Sequence, residues 1–368
     1  MANKPLDVKL KINSSRFGKW YQIRRFTDYS IDLDLESDAD AFRFTISNPG
    51  GVCTGLFSKF DPMIIEINDE PIMRGRLDCV EYDWDDGGST IVVNGRDLIA
   101  NLIDNDATPG THKNVKPTTF IKNKCEGYGI KSNISSSINS VEQLVINTGE
   151  SEISVINGIV EDSRKKVWFF YDTLYAGDWN DSAEPTYLFT RGVRDRPGIP
   201  IKSLKYREDG TDTKSMVKIY GANSDGAEKV VGTAKNDYMI GRNINKREIK
   251  RASNDDSASK YADDAVRDVQ DSLRDGMELT ITTRAGLGGV ILPNKTAQVI
   301  DTVSKINATF FIVGVNYDKS LNSGSIVTIT MIPSKTTFDK LWKNQAKTSG
   351  SLTGTSKTTI SELIKERW

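Results

Sequence analysis

Val80-Glu81-Tyr82-Asp83, a short turn and then Gly88-Ser89-Thr90-Ile91-Val92 recur later in the chain as Val315-Asn316-Tyr317-Asp318, a turn one residue longer, and Gly324-Ser325-Ile326-Val327. The segments before each copy agree in kind. Ile65 to Asp69 has its counterpart in Gln298 to Asp301, and Ile72 to Cys79 in Thr309 to Gly314. Hairpins built from Val, Ile, Thr and Tyr with glycine turns look alike by composition alone. The alternative is two related β-domains in one chain.

Around the first copy the sequence alternates with period two, as a half-buried sheet requires. Ile31, Leu33 and Leu35 face one way and Asp32, Asp34 and Glu36 the other; after a turn at Ser37-Asp38-Ala39-Asp40 the pattern resumes with Phe42, Phe44 and Ile46. Asn48-Pro49-Gly50-Gly51 breaks it with residues suited to turns. Met63, Ile65 and Ile67 mark the next strand, and Ile72 to Trp84 a long one that reverses at Asp85-Asp86-Gly87-Gly88. Short antiparallel strands at this spacing predict a small barrel or sandwich.

Helical signals lie between and after the copies. Pro117 suits the first position of a helix carrying Phe120, Ile121 and Cys125, and Ile153, Ile156, Ile159 and Val160 form a second apolar stripe. Trp168 to Tyr171 reads as a buried strand. The clearest helix spans 257–275, with Ala258, Tyr261, Ala262, Ala265, Val266, Val269 and Leu273 at spacings of three and four and Gly276 as its C′ residue.

Composition narrows the chemistry. The 368 residues make room for two to three domains, and 49 Lys and Arg against 50 Asp and Glu leave a net charge of -1, without the positive excess of a nucleic-acid binder. The one histidine, His112, ends the polar, loop-like stretch from Asp106, with no nucleophile elbow nearby. Cys53, Cys79 and Cys125 have no metal-site or disulfide spacing, so reduced thiols are expected. Gly286-Leu287-Gly288-Gly289 lacks the third glycine of a phosphate loop, where Ile291 stands, and is expected to be a hairpin turn. Asp83, Asp85 and Asp86 lack the bidentate acid of a calcium loop. No catalytic residue, cofactor or metal is expected. No stretch approaches the ~18 apolar residues that span a bilayer, and residues 1–10 have no apolar leader core. The sequons at Asn13, Asn133, Asn180, Asn294 and Asn307 are accordingly given no weight.

The sharpest motif is Gly95-Arg96-Asp97-Leu98-Ile99-Ala100-Asn101-Leu102-Ile103-Asp104. Gly95 is expected to end a strand and Asp97 to cap a short helix, with Leu98 and Leu102 sharing a face and Asp104 ending the turn near Arg96. This segment resembles baseplate hub proteins of contractile phage tails, the Mu-like type, related to late control protein D and to the N-termini of type VI secretion spikes. Beyond the motif, Ile72 to Asp78, the α/β segment and Met277 to Pro333 follow the family loosely, as a pattern of elements. In the second copy Met331-Ile332-Pro333 replaces the Gly-Arg-Asp turn.

The resemblance implies a β-rich α+β protein with two related small antiparallel β-barrels. Residues 1–109 would form the first hub barrel, 110–198 a small α/β domain, 199–224 with 277–338 the second hub barrel, and 225–276 a helical insertion. Residues 339–368 would be a flexible linker and docking peptide, from the Ser/Thr/Gly-rich run Thr348 to Thr358 to an apolar stripe of Ile360, Leu363 and Ile364 before Trp368. A disordered tail is the other reading of that segment.

The resemblance also implies a homotrimer whose barrels form a pseudo-sixfold ring. Such a ring would join the hexameric tail tube protein to the trimeric central spike protein, alongside other baseplate proteins and the tape measure protein. It would be assembled in the host cytoplasm, sit in the virion tail baseplate and pass DNA without binding it specifically. The charge pattern fits: residues 1–26 hold seven basic residues and one acid, residues 27–86 four basic residues and fifteen acids. Acidic surfaces would line the channel and repel DNA, although an ordinary solvated face has the same composition. The alternative function is a glycan-binding or peptidoglycan-degrading tail component, because acids are abundant enough to supply a carboxylate pair.

Overall fold

The computed structural model describes residues 6–37, 39–86, 88–196, 198–222, 228–251, 258–320 and 324–340. The chain opens with β1 (Val8–Ser14), β2 (Lys19–Ile23), β3 (Asp28–Asp34), β4 (Ala41–Ser47), β5 (Pro62–Ile67), β6 (Glu70–Asp85) and β7 (Gly88–Asp97). Next come α1 (Ala100–Asp104), β8 (Gly110–Val115), α2 (Pro117–Glu126), β9 (Lys131–Ile134), β10 (Val141–Ile146), α3 (Glu152–Glu161), β11 (Lys166–Phe170) and β12 (Thr173–Gly177). They are followed by β13 (Tyr187–Arg191), β14 (Ile199–Pro200), β15 (Ser203–Glu208), β16 (Met216–Ala222), β17 (Glu228–Lys235), α4 (Asp237–Ile240), β18 (Arg247–Arg251) and α5 (Ala258–Asp275). The last strands are β19 (Met277–Arg284), β20 (Lys295–Asp301), β21 (Ile306–Ser320) and β22 (Gly324–Pro333).

Packing groups these elements into two units, one of Met1–Trp179, Thr282–Asn294 and Val313–Ile329, the other of Asn180–Ile281, Lys295–Ile312 and Thr330–Trp368. In the first, strands run in the order β3-β4-β7-β6-β5-β1-β2, all neighbours antiparallel. The period-two reading holds here, with Ile31, Leu33, Phe44, Met63, Ile65 and Ile67 fully buried. Each such side chain contributes about 1.5–3 kcal/mol of hydrophobic stabilisation. The same unit carries the α/β piece, whose core joins Ile121 and Cys125 of α2 to Ile153, Ile156 and Val160 of α3.

The second unit has the order β14-β13-β20 followed by the first half of β21, together with β15, the start of β19 and the end of β22; β19 pairs with both β15 and β22. A separate sheet, β17-β16-β18, packs Val217 and Ile219 against Tyr261, Ala265 and Val269 of α5.

Several expectations change. The segment 225–276 is not helical throughout, because β17 and β18 line both edges of β16; the β18 signal was hidden by charged residues around Ile249. Val266 points outward at 41 % exposure. Gly276 is not a left-handed cap: a Cβ there would stand 2.3 Å from the Asp209 carbonyl oxygen, so the glycine permits a close backbone approach. His112 lies on a strand, exposed and opposite Leu144. Gly286 to Gly289 forms no hairpin, since it links β19 to β20 and these pair with different strands. Among the described residues no pairing closes either repeat into a barrel, since β2 and β15 each have one strand neighbour there, so the two-barrel detail is not confirmed. The docking residues Ile360, Leu363, Ile364 and Trp368 lie outside the described residues.

The internal repeat is a repeat of topology. In the first copy β4 pairs with both β3 and β7, and β5, β6 and β7 form a meander. In the second β19 pairs with both β15 and β22, and β20, β21 and β22 form the meander. The repeated tyrosines carry the same bonds. The Tyr82 hydroxyl donates to the Phe57 carbonyl at 2.9 Å and accepts from the Phe57 amide at 3.0 Å. Tyr317 does the same to Ile291, at 2.6 and 2.7 Å. Removing the Tyr317 hydroxyl strands a buried amide and carbonyl, so Tyr317→Phe is expected to cost about 1–3 kcal/mol in urea unfolding. Tyr82→Phe should cost less, because Tyr82 is half-buried and water can replace its hydroxyl.

Candidate functional site

The Gly95 to Asp104 corner is built where β6 and β7 approach unusually closely. Gly95 does not end its strand, which runs on to Asp97. A Cβ on Gly95 would lie 2.1 Å from the Arg76 carbonyl oxygen, and one on Gly75 would lie 2.0 Å from that of Arg96. The register shifts between Leu77 and Cys79, leaving Asp78 as the extra residue of a bulge. The bulge aims the Asp78 carboxylate at Arg96, whose Nε donates to it at 2.8 Å. The other guanidinium nitrogens donate in fork fashion to both oxygens of Asp104, at 3.0 and 2.8 Å. These bonds hold the Asp104 carboxyl below the usual carboxylate range and raise the Arg96 pKa further. The expected proximity of Asp104 to Arg96 is thus an ion pair that ties the end of α1 to the strand.

Asp97 is 1 % exposed. Its carboxyl accepts from the Ile99 amide at 3.1 Å and the Asp40 amide at 3.3 Å, so it closes the turn that leads into α1 and tethers the β3–β4 turn; it is not the expected helix cap, because the N-cap of α1 is Ile99, which has no side-chain cap bond. Asp40, buried as well, accepts from the Asp34 amide at 2.8 Å. Burial first, and then the neighbouring carboxylate, pushes Asp40 well above the usual range; burial pushes Asp97 up to about 8. These carboxyls are occupied in holding main-chain amides, an arrangement suited to fixing a corner. They sit at one side of a cleft of about 240 Å³, whose other walls include Glu36, Glu161 and Trp168.

Leu98 is half-buried and Leu102 fully buried against the α/β core. Ile99, 4 % exposed in the same cluster, was not singled out from the sequence, although an isoleucine between two leucines of a short helix is a core signal. Neither Asp40 nor Asp78 could be found from spacing, because each reaches the corner through tertiary pairing. Among the described residues no cluster of three or more His, Cys, Asp or Glu could hold a metal ion. Burial raises the Cys125 thiol to about 12, which keeps it unreactive.

This fold is shared with tail proteins. A tail protein from Neisseria meningitidis MC58 superimposes with a TM-score of 0.72 at 19% identity, over 91% of this chain and 99% of that one. The 43 kDa tail protein of prophage MuSo2 from Shewanella oneidensis gives 0.70 at 19% identity, over 89% and 98%. A type VI secretion component of E. coli, itself described as similar to T4 tail proteins gp27 and gp5, gives 0.57 at 10% identity, over 88% and 76%. No curated protein matches the chain by sequence. Residues 7–97 match the family described as Mu phage baseplate assembly protein GpP-like, N-terminal. The resemblance to baseplate hub proteins is thereby borne out, and the matched residues end at Asp97, inside the corner.

Two outcomes test the corner. Gly95→Ala drives a Cβ into the Arg76 carbonyl and is expected to abolish soluble expression or lower Tm by more than 10 °C, whereas Gly158→Ala, in open space on α3, should raise stability by about 0.5–1 kcal/mol. The second concerns pH. An unfolded Asp releases its proton near pH 4, while folded Asp97 keeps it to about 8, so the native state binds more protons across that window and loses stability as pH rises through it. Tm measured from about pH 5 to 8 should therefore fall, and Asp97→Asn should flatten the slope.

Proposed function

We propose that this chain is a structural hub subunit of a tail baseplate, of the phage or type VI type. Three copies form a pseudo-sixfold ring from their two β-repeats, joining a hexameric tail tube protein to a trimeric central spike protein in the virion baseplate. DNA passes through the channel without specific contacts, and other baseplate proteins and a tape measure protein meet the ring. The observation that carries this reading is the duplicated meander with its matched tyrosines, since two copies of one unit in three chains supply six equivalent positions. The family match over residues 7–97 and the fold shared with tail proteins support it.

Within that reading the domains are 1–109, 110–198, 199–224 with 277–338, 225–276 and 339–368. Gly95, Arg96, Asp97, Leu98, Leu102 and Asp104 hold the first repeat to the α/β domain, and Ile360, Leu363, Ile364 and Trp368 dock a partner. The role is structural rather than enzymatic: the buried carboxyls of the corner are engaged by main-chain amides.

Light scattering of the purified chain is expected to give three times the 40.9 kDa chain mass, with six-lobed rings in electron micrographs. A chain that stays monomeric with its tube and spike partners present, or one that cleaves peptidoglycan and loses this on replacing one acid, would overturn the proposal.

A further inference from the structure

The two repeats differ in one respect that their shared topology makes conspicuous. In the second copy, β20 pairs with β21 up to Ile312, and from Gly314 to Lys319 β3 takes over. Val315 and Tyr317 are each 1 % exposed there. In the first copy, β5 pairs with β6 only up to Arg76, and beyond the bulge β6 has β7 as its one strand neighbour among the described residues. The equivalent Val80 and Tyr82 are half-buried, and Trp84, stacked on Tyr82 with ring centroids 6.2 Å apart, is 58 % exposed.

A second strand shows the converse. β15 is the counterpart of β3, each flanking the strand that pairs with the end of its meander. β3 has two strand neighbours and buries Tyr29, Ile31 and Leu33. Among the described residues β15 has one, and its Leu204 and Tyr206 remain half-buried. The outer faces are opposite in charge, with exposed Lys205 and Arg207 on β15 and exposed Glu81 and Asp83 on β6.

We propose that β15 of one copy adds antiparallel to residues 79–84 of β6 in a second copy of this chain, repeating between chains the β3–β21 pairing within one. Leu204 and Tyr206 then cover Val80 and Tyr82, and Lys205 and Arg207 face Glu81 and Asp83. Strand addition supplies main-chain bonds for affinity, and the alternating side chains set specificity. One chain offers both edges, so the contact is head-to-tail and closes into a ring when the rotation allows. That the ring has three members rests on the proposed hub function; the pairing itself does not.

The test uses the full-length chain. Cys79 is exposed on the face of Glu81, while Cys53 is half-buried and Cys125 buried. Ser203→Cys, Lys205→Cys and Arg207→Cys are oxidised one at a time. At least one is expected to give covalent multimers on non-reducing gels, lost on adding Cys79→Ser. Independently, Lys205→Glu with Arg207→Glu, or Glu81→Lys with Asp83→Lys, should weaken association at least tenfold in sedimentation with an unchanged far-UV circular dichroism spectrum, and combining all four should restore it. A multimer indifferent to both reversals and uncrosslinked in all three variants overturns the edge pairing while leaving the hub reading in place. A wild-type chain that is monomeric alone but trimeric with its partners also overturns it. One that is monomeric even with them overturns the hub reading too.

Discussion

Main-chain hydrogen bonding along the two long strands, β6 and β21, is the constraint on which the rest depends. A strand of 15 or 16 residues has more donors and acceptors on each edge than one short neighbour can satisfy. Both strands answer by giving one edge to the following strand of their meander and dividing the other. On β21 the division is complete, with β20 and then β3 in sequence. On β6 it stops at the bulge. The bulge is also where Asp78 turns toward Arg96 and where the two glycines let the backbones touch, so the edge and the corner are consequences of one distortion.

Much of this was legible in the sequence because it rests on local periodicity. The alternation around Ile31, Phe44 and Ile65 gave the first sheet, and the stripe of α3 gave the α/β core. The repeated Val-x-Tyr-Asp was a trace of topology, since the tyrosine hydroxyl has the same task in both copies. Long-range pairing was hidden. Nothing near Ile31 announces that Tyr317 lies opposite it. Glycine misled for a related reason: Gly95 and Gly276 suggested chain breaks, yet each serves a close backbone approach that only the folded partner reveals. In the same way Arg96 and Asp104 could be placed near each other by spacing, but Asp78 joins them only because a bulge exists.

The buried acids show how a charged composition can serve a fixed geometry. Asp40 and Asp97 lie where repulsion and burial oppose ionisation, and they are tolerated because main-chain amides meet their oxygens. Arg96 handles the opposite problem, drawing Asp78 and Asp104 into an ionised cluster at the surface. Asp97 and Asp104, seven residues apart, are thus pushed in opposite directions, one by burial and the other by Arg96.

The pairing of β3 with β21 brings Ser30 and Asn316 into hydrogen-bond contact across 286 positions of sequence. During synthesis β21 must therefore be made before β3 gains its second neighbour and Ile31 and Leu33 their final cover. Until then the apolar face of β3 lacks that cover, the kind of exposure that makes folding intermediates prone to aggregate. A chain interrupted before β21 would leave β3 with β4 as its one strand neighbour.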